Sequence, residues 1–217
     1  NSFWQPKSDA YGTYFCSHTT NRKACPRGPG IYLLGGTSNG GDTDQFDDDV
    51  LMHEYAHFVE SYLGVQDSPG GTHYLTDNDS DIRLAWSEGW GGFFPSAVKA
   101  WLRKDNPELV SSERSLSSSY FIDTYGSVAG IAIDMSTPGS YFCYKGEECF
   151  MSSTSEVAVA KVLNGLRTKF SMQELWDAYS LYAPSQTLQA ASLEVLWDGW
   201  IAQHSPSESG YIDLYTI

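Results

Sequence analysis

The chain has 217 residues, with 13 Lys and Arg against 27 Asp and Glu, a formal net charge of −14. So acidic a chain excludes nucleic acid, whose counterions are displaced by clustered Lys and Arg, and disfavours an anionic membrane surface. At 41% hydrophobic and 14% aromatic it can bury a core, which excludes the disordered class, and its length fits one domain, at most of two lobes.

In chain order, residues 1–30 are rich in turn formers and read as irregular structure. Asn1–Ala10 has neither the basic start nor the apolar stretch of a signal peptide, and the first residue is not Met, so the chain reads as mature or trimmed. No run approaches the ~20 apolar residues of a membrane span. Ile31–Leu34, closed by Gly35-Gly36, reads as a strand. Asp47-Asp48-Asp49 suits the electropositive first turn of a helix running to about Leu63, with Gly64 as its stop. After a Gly, Ser and Asp rich loop, a second helix is expected from Asp81 to Lys104, kinked or divided at Pro95. Tyr120–Met151 mixes short β-like runs with Gly. Capping-box patterns open a third helix at Ser153-Thr154-Ser155-Glu156 and a fourth at Ser171-Met172-Gln173-Glu174, and a fifth follows Pro184 to about Gln203. A strand-bearing N-terminal part followed by a mostly helical C-terminal part is an α+β pattern.

Cys16, Cys25, Cys143 and Cys149 allow three pairings. The turn formers between neighbours favour Cys16–Cys25 and Cys143–Cys149, hence an oxidising, secreted or extracytoplasmic setting.

The segment that carries chemistry is His53-Glu54-Tyr55-Ala56-His57 within the first helix. Residues four apart lie one turn above another on one face, so both imidazoles can reach one metal ion. Glu54 follows the first ligand, where its carboxylate can act as general base toward a water that zinc has acidified. Chance would produce only about 0.006 such matches in a chain of this composition, which decides against two incidental surface histidines. A catalytic zinc needs a third protein ligand and an open position. The metzincin pattern is excluded because Glu60 and Leu63 occupy its Gly and His positions. The remaining candidates are Glu60, which otherwise reads as a solvent-facing charge, His73 in a Gly-rich loop, and Glu88. Glu88 has the best context: a carboxylate amid apolar Ala85-Trp86 and Phe93-Phe94 is costly to bury without a cation. Gly89, Gly91 and Gly92 suggest that another helix approaches there, which would carry Glu88 to the two histidines.

His53-Glu54-Tyr55-Ala56-His57 followed by Ala85-Trp86-Ser87-Glu88-Gly89-Trp90-Gly91 resembles the gluzincin clan of zinc metallopeptidases over roughly residues 31–104. Ser87 stands where that clan usually has Asn. The resemblance implies a zincin-like domain with an N-terminal lobe of about residues 1–64, a C-terminal lobe of about 65–217, and the active-site cleft between them. It implies zinc held by His53, His57 and Glu88, Glu54 as general base, and Ile31–Leu34 as the strand that holds an extended polypeptide. It further implies an oxyanion donor from the C-terminal lobe, for which Tyr120, Tyr125, Tyr141 and His204 are open choices.

Asp77-Asn78-Asp79-Ser80-Asp81 resembles the start of a calcium loop, but Ile82 replaces the Gly that an EF-hand requires. A looser Ca2+ site at Asp77, Asp79 or Asp81, or at Asp42 and Asp44, competes with helix-capping and solvated roles. Glu156 is a candidate for orienting a ligand, as are Asp123 and Asp134. Trp176, Trp197 and Trp200 recur near helical spacing and read as core. The expected function is thus a secreted zinc endopeptidase. The alternatives are a binding or adhesion domain keeping a structural zinc and a calcium-stabilised module without zinc.

Overall fold

The structure is a computed structural model that describes residues 2–6, 13–17, 25, 27–35, 44, 47–75, 77–109, 119–122, 131–136, 152–183 and 191–204. Its strands are β1 (Ser2–Pro6), β2 (Tyr14–Cys16), β3 (Gly30–Gly35), β4 (Ser119–Ile122) and β5 (Ile131–Asp134). Its helices are α1 (Asp48–Leu63), α2 (Ile82–Asp105), α3 (Glu156–Lys169), α4 (Met172–Tyr182) and α5 (Leu193–His204), with a 3-10 turn at Pro107–Leu109. Helices and small sheets together make an α+β chain.

The chain forms two compact units that are not consecutive stretches, contrary to the division expected near residue 64. Asn1–Tyr62 with Phe94–Asp134 makes the first, and Leu63–Phe93 with Met135–Ile217 the second. Residues 82–93 of α2 belong to the second unit and residues 94–105 to the first. Composition does not reveal this split because it falls inside one helix. Pro95 does not divide α2; it is fully buried, and the surrounding packing offsets the backbone hydrogen bond it removes.

In the first unit, β3 is the central strand of the order β1-β3-β2, parallel to β1 and antiparallel to β2. The irregular reading of residues 1–30 is therefore corrected. Strands of five and three residues are too short to show a period, and pairing with β3 defines them. Tyr14 pairs with Tyr32 in register and their rings stack at 5.0 Å. The Tyr32 hydroxyl accepts from the Arg27 amide and donates to the Gly28 carbonyl, closing the turn before β3. The Cys16–Cys25 disulfide closes the same segment, as expected. Cys143 and Cys149 lie outside the described residues.

α1 begins where Asp47 caps it, its carboxylate accepting from the amides of Asp49 and Val50. It ends at Gly64, whose φ of 72° suits glycine at a helix stop. Lys99, from residues 94–105 of α2, is buried with Asp49 at 2.7 Å and also donates to the Ser119 carbonyl. One ammonium thus ties α1, α2 and β4 together.

In the second unit, Trp86 and Trp90 are fully buried against α4. Trp86 Nε1 donates to the Tyr179 hydroxyl at 2.8 Å, and Trp176 packs on Trp90. Trp200 is buried against Phe170. The reading of Trp200 as core holds, whereas Trp176 and Trp197 are half-buried. α3 is capped by Ser155, whose hydroxyl accepts from Ala158 N, rather than by the earlier serine of the expected pattern; Ser152 to Ser155 instead form a turn. Ser171 caps α4 and bonds reciprocally with Glu174, as expected. α5 starts at Leu193, later than its pattern suggested; residues 184–190 lie outside those described. Gly89 and Gly199 mark close helix crossings. A Cβ at Gly89 would lie 2.6 Å from the Val159 side chain and 2.7 Å from the Glu156 carbonyl oxygen. The helix that Gly89 admits is therefore α3.

Candidate metal centre

The first unit holds His53, Glu54 and His57 on α1. The helical repeat stacks the two imidazoles on one face, with their Nε2 atoms 3.0 Å apart. Each ring has a partner at its other nitrogen. The Tyr120 hydroxyl, on β4, lies 3.2 Å from His53 Nδ1, and the two rings stack. A Glu60 carboxylate oxygen lies 3.5 Å from His57 Nδ1. A carboxylate only accepts, so the contact suits the His57 tautomer that carries its proton on Nδ1, with Nε2 on the side shared with His53.

At 3.0 Å one Nε2 donates a proton to the other in the metal-free pair, or, where both Nδ1 atoms carry the protons, the two lone pairs face one site that a cation can fill. Two nitrogens on one tetrahedral zinc stand roughly 3.3 Å apart given Zn–N bonds of about 2.0–2.1 Å, so the pair fits zinc after a shift of a few tenths of an ångström. Glu54 follows His53 on the helix and is 7% exposed, which keeps its carboxylate in a partly desolvated setting. Glu60 is 1% exposed, which corrects its reading as a solvent-facing charge. Its position on the inner stripe of α1, one turn beyond His57, is the reason.

Glu88 lies in the second unit, on α2. Within that unit His73 Nε2 stands 3.2 Å from Glu88 and 3.8 Å from Glu156, and His73 Nδ1 lies 3.1 Å from the Gly71 carbonyl. The hydrogen bond that His73 donates to Glu88 is the largest cause pushing the His73 imidazole up to about 9, which favours its cationic form at neutral pH. Ligand atoms of His73, Glu88 and Glu156 all lie within 4.8 Å of one another, which makes the trio a second group able to receive a cation in place of that proton. The loop carrying His73 is anchored to its own unit: Ser80 N donates to the Thr154 carbonyl, Thr154 Oγ1 to the Asn78 carbonyl, and Ala191 N to Asp67.

Of the expected oxyanion donors, Tyr120 is buried and engaged at His53, while His204 stacks on Trp200 and lies 3.9 Å from Glu174. Tyr125 and Tyr141 lie outside the described residues, as does Asp123. Asp77 closes a turn with Tyr74, both oxygens of Asp81 are held by Arg83, and Asp44 accepts from Thr13, while Asp42 is outside the described residues. Sequence reasoning missed the burial of Glu60 and the role of Lys99. Helical spacing was the available signal for Glu60, since it falls three residues after His57.

No protein-family model matches the chain, and no solved structure matches it. An uncharacterized protein of Archaeoglobus fulgidus is 31% identical over 110 residues, covering 48% of this chain and 32% of that protein. The chain thus spans about a third of the length of this relative.

Proposed function

We propose that the chain is the catalytic domain of an extracytoplasmic zinc peptidase, with His53, His57 and Glu88 as ligands and Glu54 as general base. The observation that carries this reading is the convergence of His53 and His57 Nε2 at 3.0 Å, each ring engaged at Nδ1. Zinc, when bound, supplies Lewis acidity that lowers the pKa of a water and polarises a peptide carbonyl. The chain's own residues handle the proton. The Glu54 carboxylate takes it from the attacking water and returns it to the departing amine, so no covalent enzyme intermediate is needed. His57, its Nδ1 proton directed at Glu60, keeps Nε2 unprotonated for the metal. Glu88, a carboxylate on α2, would hold the ion as the third protein ligand and offset part of its charge. The disulfide at Cys16–Cys25 supports an oxidising setting.

Glu54→Ala tests the mechanism: peptide hydrolysis should fall by at least about a hundredfold, within the range general bases supply, with zinc content unchanged. Activity retained in this variant would overturn the peptidase reading. Zinc bound by four protein groups, without turnover, would favour a binding domain with a structural metal.

A further inference from the structure

Carboxylates are almost never fully buried without a partner, and an unpaired one is expensive in free energy. Glu60 is among the largest fully buried side chains, and one of its oxygens stands 3.5 Å from His57 Nδ1. The two nitrogens of an imidazole lie on different edges of the ring. Glu60 stands at the Nδ1 edge of His57, whereas Nε2 faces His53. That position argues against Glu60 as the third ligand and gives it a different task.

We infer that Glu60 is the positioning residue of His57. Its carboxylate accepts the Nδ1 proton, which selects the tautomer with a free Nε2, restrains ring rotation about the side chain, and raises the basicity of the ligating nitrogen. Ligating histidines commonly hand their second nitrogen to such an outer carboxylate, and loss of the partner costs roughly 10–100-fold in metal affinity or activity. Here ligand and outer partner share one helix at a spacing of three, so the pair forms when α1 forms and requires no other element to bring it together. The inference rests on His53 and His57 being metal ligands.

The test measures zinc affinity by competition with a chromophoric chelator for the unmodified protein, Glu60→Gln and Glu60→Ala, with thermal unfolding of each metal-free form as a control for folding. Glu60→Ala should weaken zinc roughly 10–100-fold, and Glu60→Gln, whose amide oxygen still accepts the proton but carries no charge, should recover part of that loss. Nitrogen-15 NMR of the zinc-loaded unmodified protein should show His57 protonated at Nδ1 and metal-bound at Nε2. Unmodified protein without zinc affinity would overturn the peptidase reading itself. Zinc affinity unchanged in a folded Glu60→Ala, or His57 metallated at Nδ1, would overturn only the role of Glu60. Should the alanine variant fail to fold, the glutamine variant and the NMR tautomer decide.

Discussion

Asp81 shows how a carboxylate in a suggestive motif can be committed elsewhere. Its oxygens accept from Arg83 Nε at 3.0 Å and Nη2 at 2.9 Å, and from the Arg83 amide at 2.9 Å, so it caps α2 and pairs with a guanidinium. The guanidinium hydrogen bond is the largest cause lowering this carboxyl from 3.8 to about 2. A depressed value in the folded state contributes stability that is fully present above the ordinary carboxylate range and is lost as pH falls toward 2. The difference in melting temperature between the unmodified protein and Asp81→Asn should therefore be largest above pH ~4 and shrink toward pH ~2. A difference independent of pH over that interval would show that the ion pair contributes nothing. The contribution is small in any case, because the pair is exposed and screened. At this scale the motif His53-Glu54-x-x-His57 was legible because helical periodicity alone brings i and i+4 together. Glu60 was not read correctly, because the inward side of α1 depends on what packs against it.

At the scale of elements, the chain's punctuation was largely readable. Asp47, Gly64 and Ser171 act where their chemistry says they should, since caps and stops satisfy backbone groups within a few residues. Which helix meets which was not readable. The glycines of α2 announced a close approach, but the partner of Gly89 is α3. That crossing sets the carbonyl of Glu156 against the residue following Glu88, and the side chains of Glu88 and Glu156 flank His73. Gly89→Ala tests this packing. The added methyl would meet both a β-branched side chain and backbone, neither of which yields easily, so overpacking should cost about 1–3 kcal/mol in chemical denaturation. A neutral or stabilising change, as expected for glycine to alanine in an unconstrained helix, would show that α2 and α3 do not approach so closely.

At the scale of the molecule, the acidic excess has no single structural role. A few of its carboxylates have defined work: Asp47 at a helix cap, Asp49 with Lys99, Glu60 with His57, Asp81 with Arg83. The net excess sets up a negative field that attracts cations over a distance of about 10 Å at 0.1 M salt and only about 3 Å at 1 M. Under the proposed function, kcat/KM for lysine- and arginine-rich peptides should fall with ionic strength more steeply than for acidic peptides of the same length. Equal slopes would remove charge from the account of substrate choice. Among the described residues no helix is long and apolar enough to cross a membrane, in line with the composition.

By itself the sequence determined the helices, the central strand β3, the Cys16–Cys25 bridge and the pairing of two imidazoles with a neighbouring glutamate. All of these arise from interactions between residues close along the chain, where spacing fixes geometry. Only the tertiary structure decided that residues 94–134 belong with the N-terminal unit, that two short strands flank β3, that α3 fills the groove at Gly89, and that Glu60 is buried. Those outcomes depend on which distant surfaces exclude water together, and the apolar surface that drives such packing is non-directional, so the pattern of one segment does not name its partner.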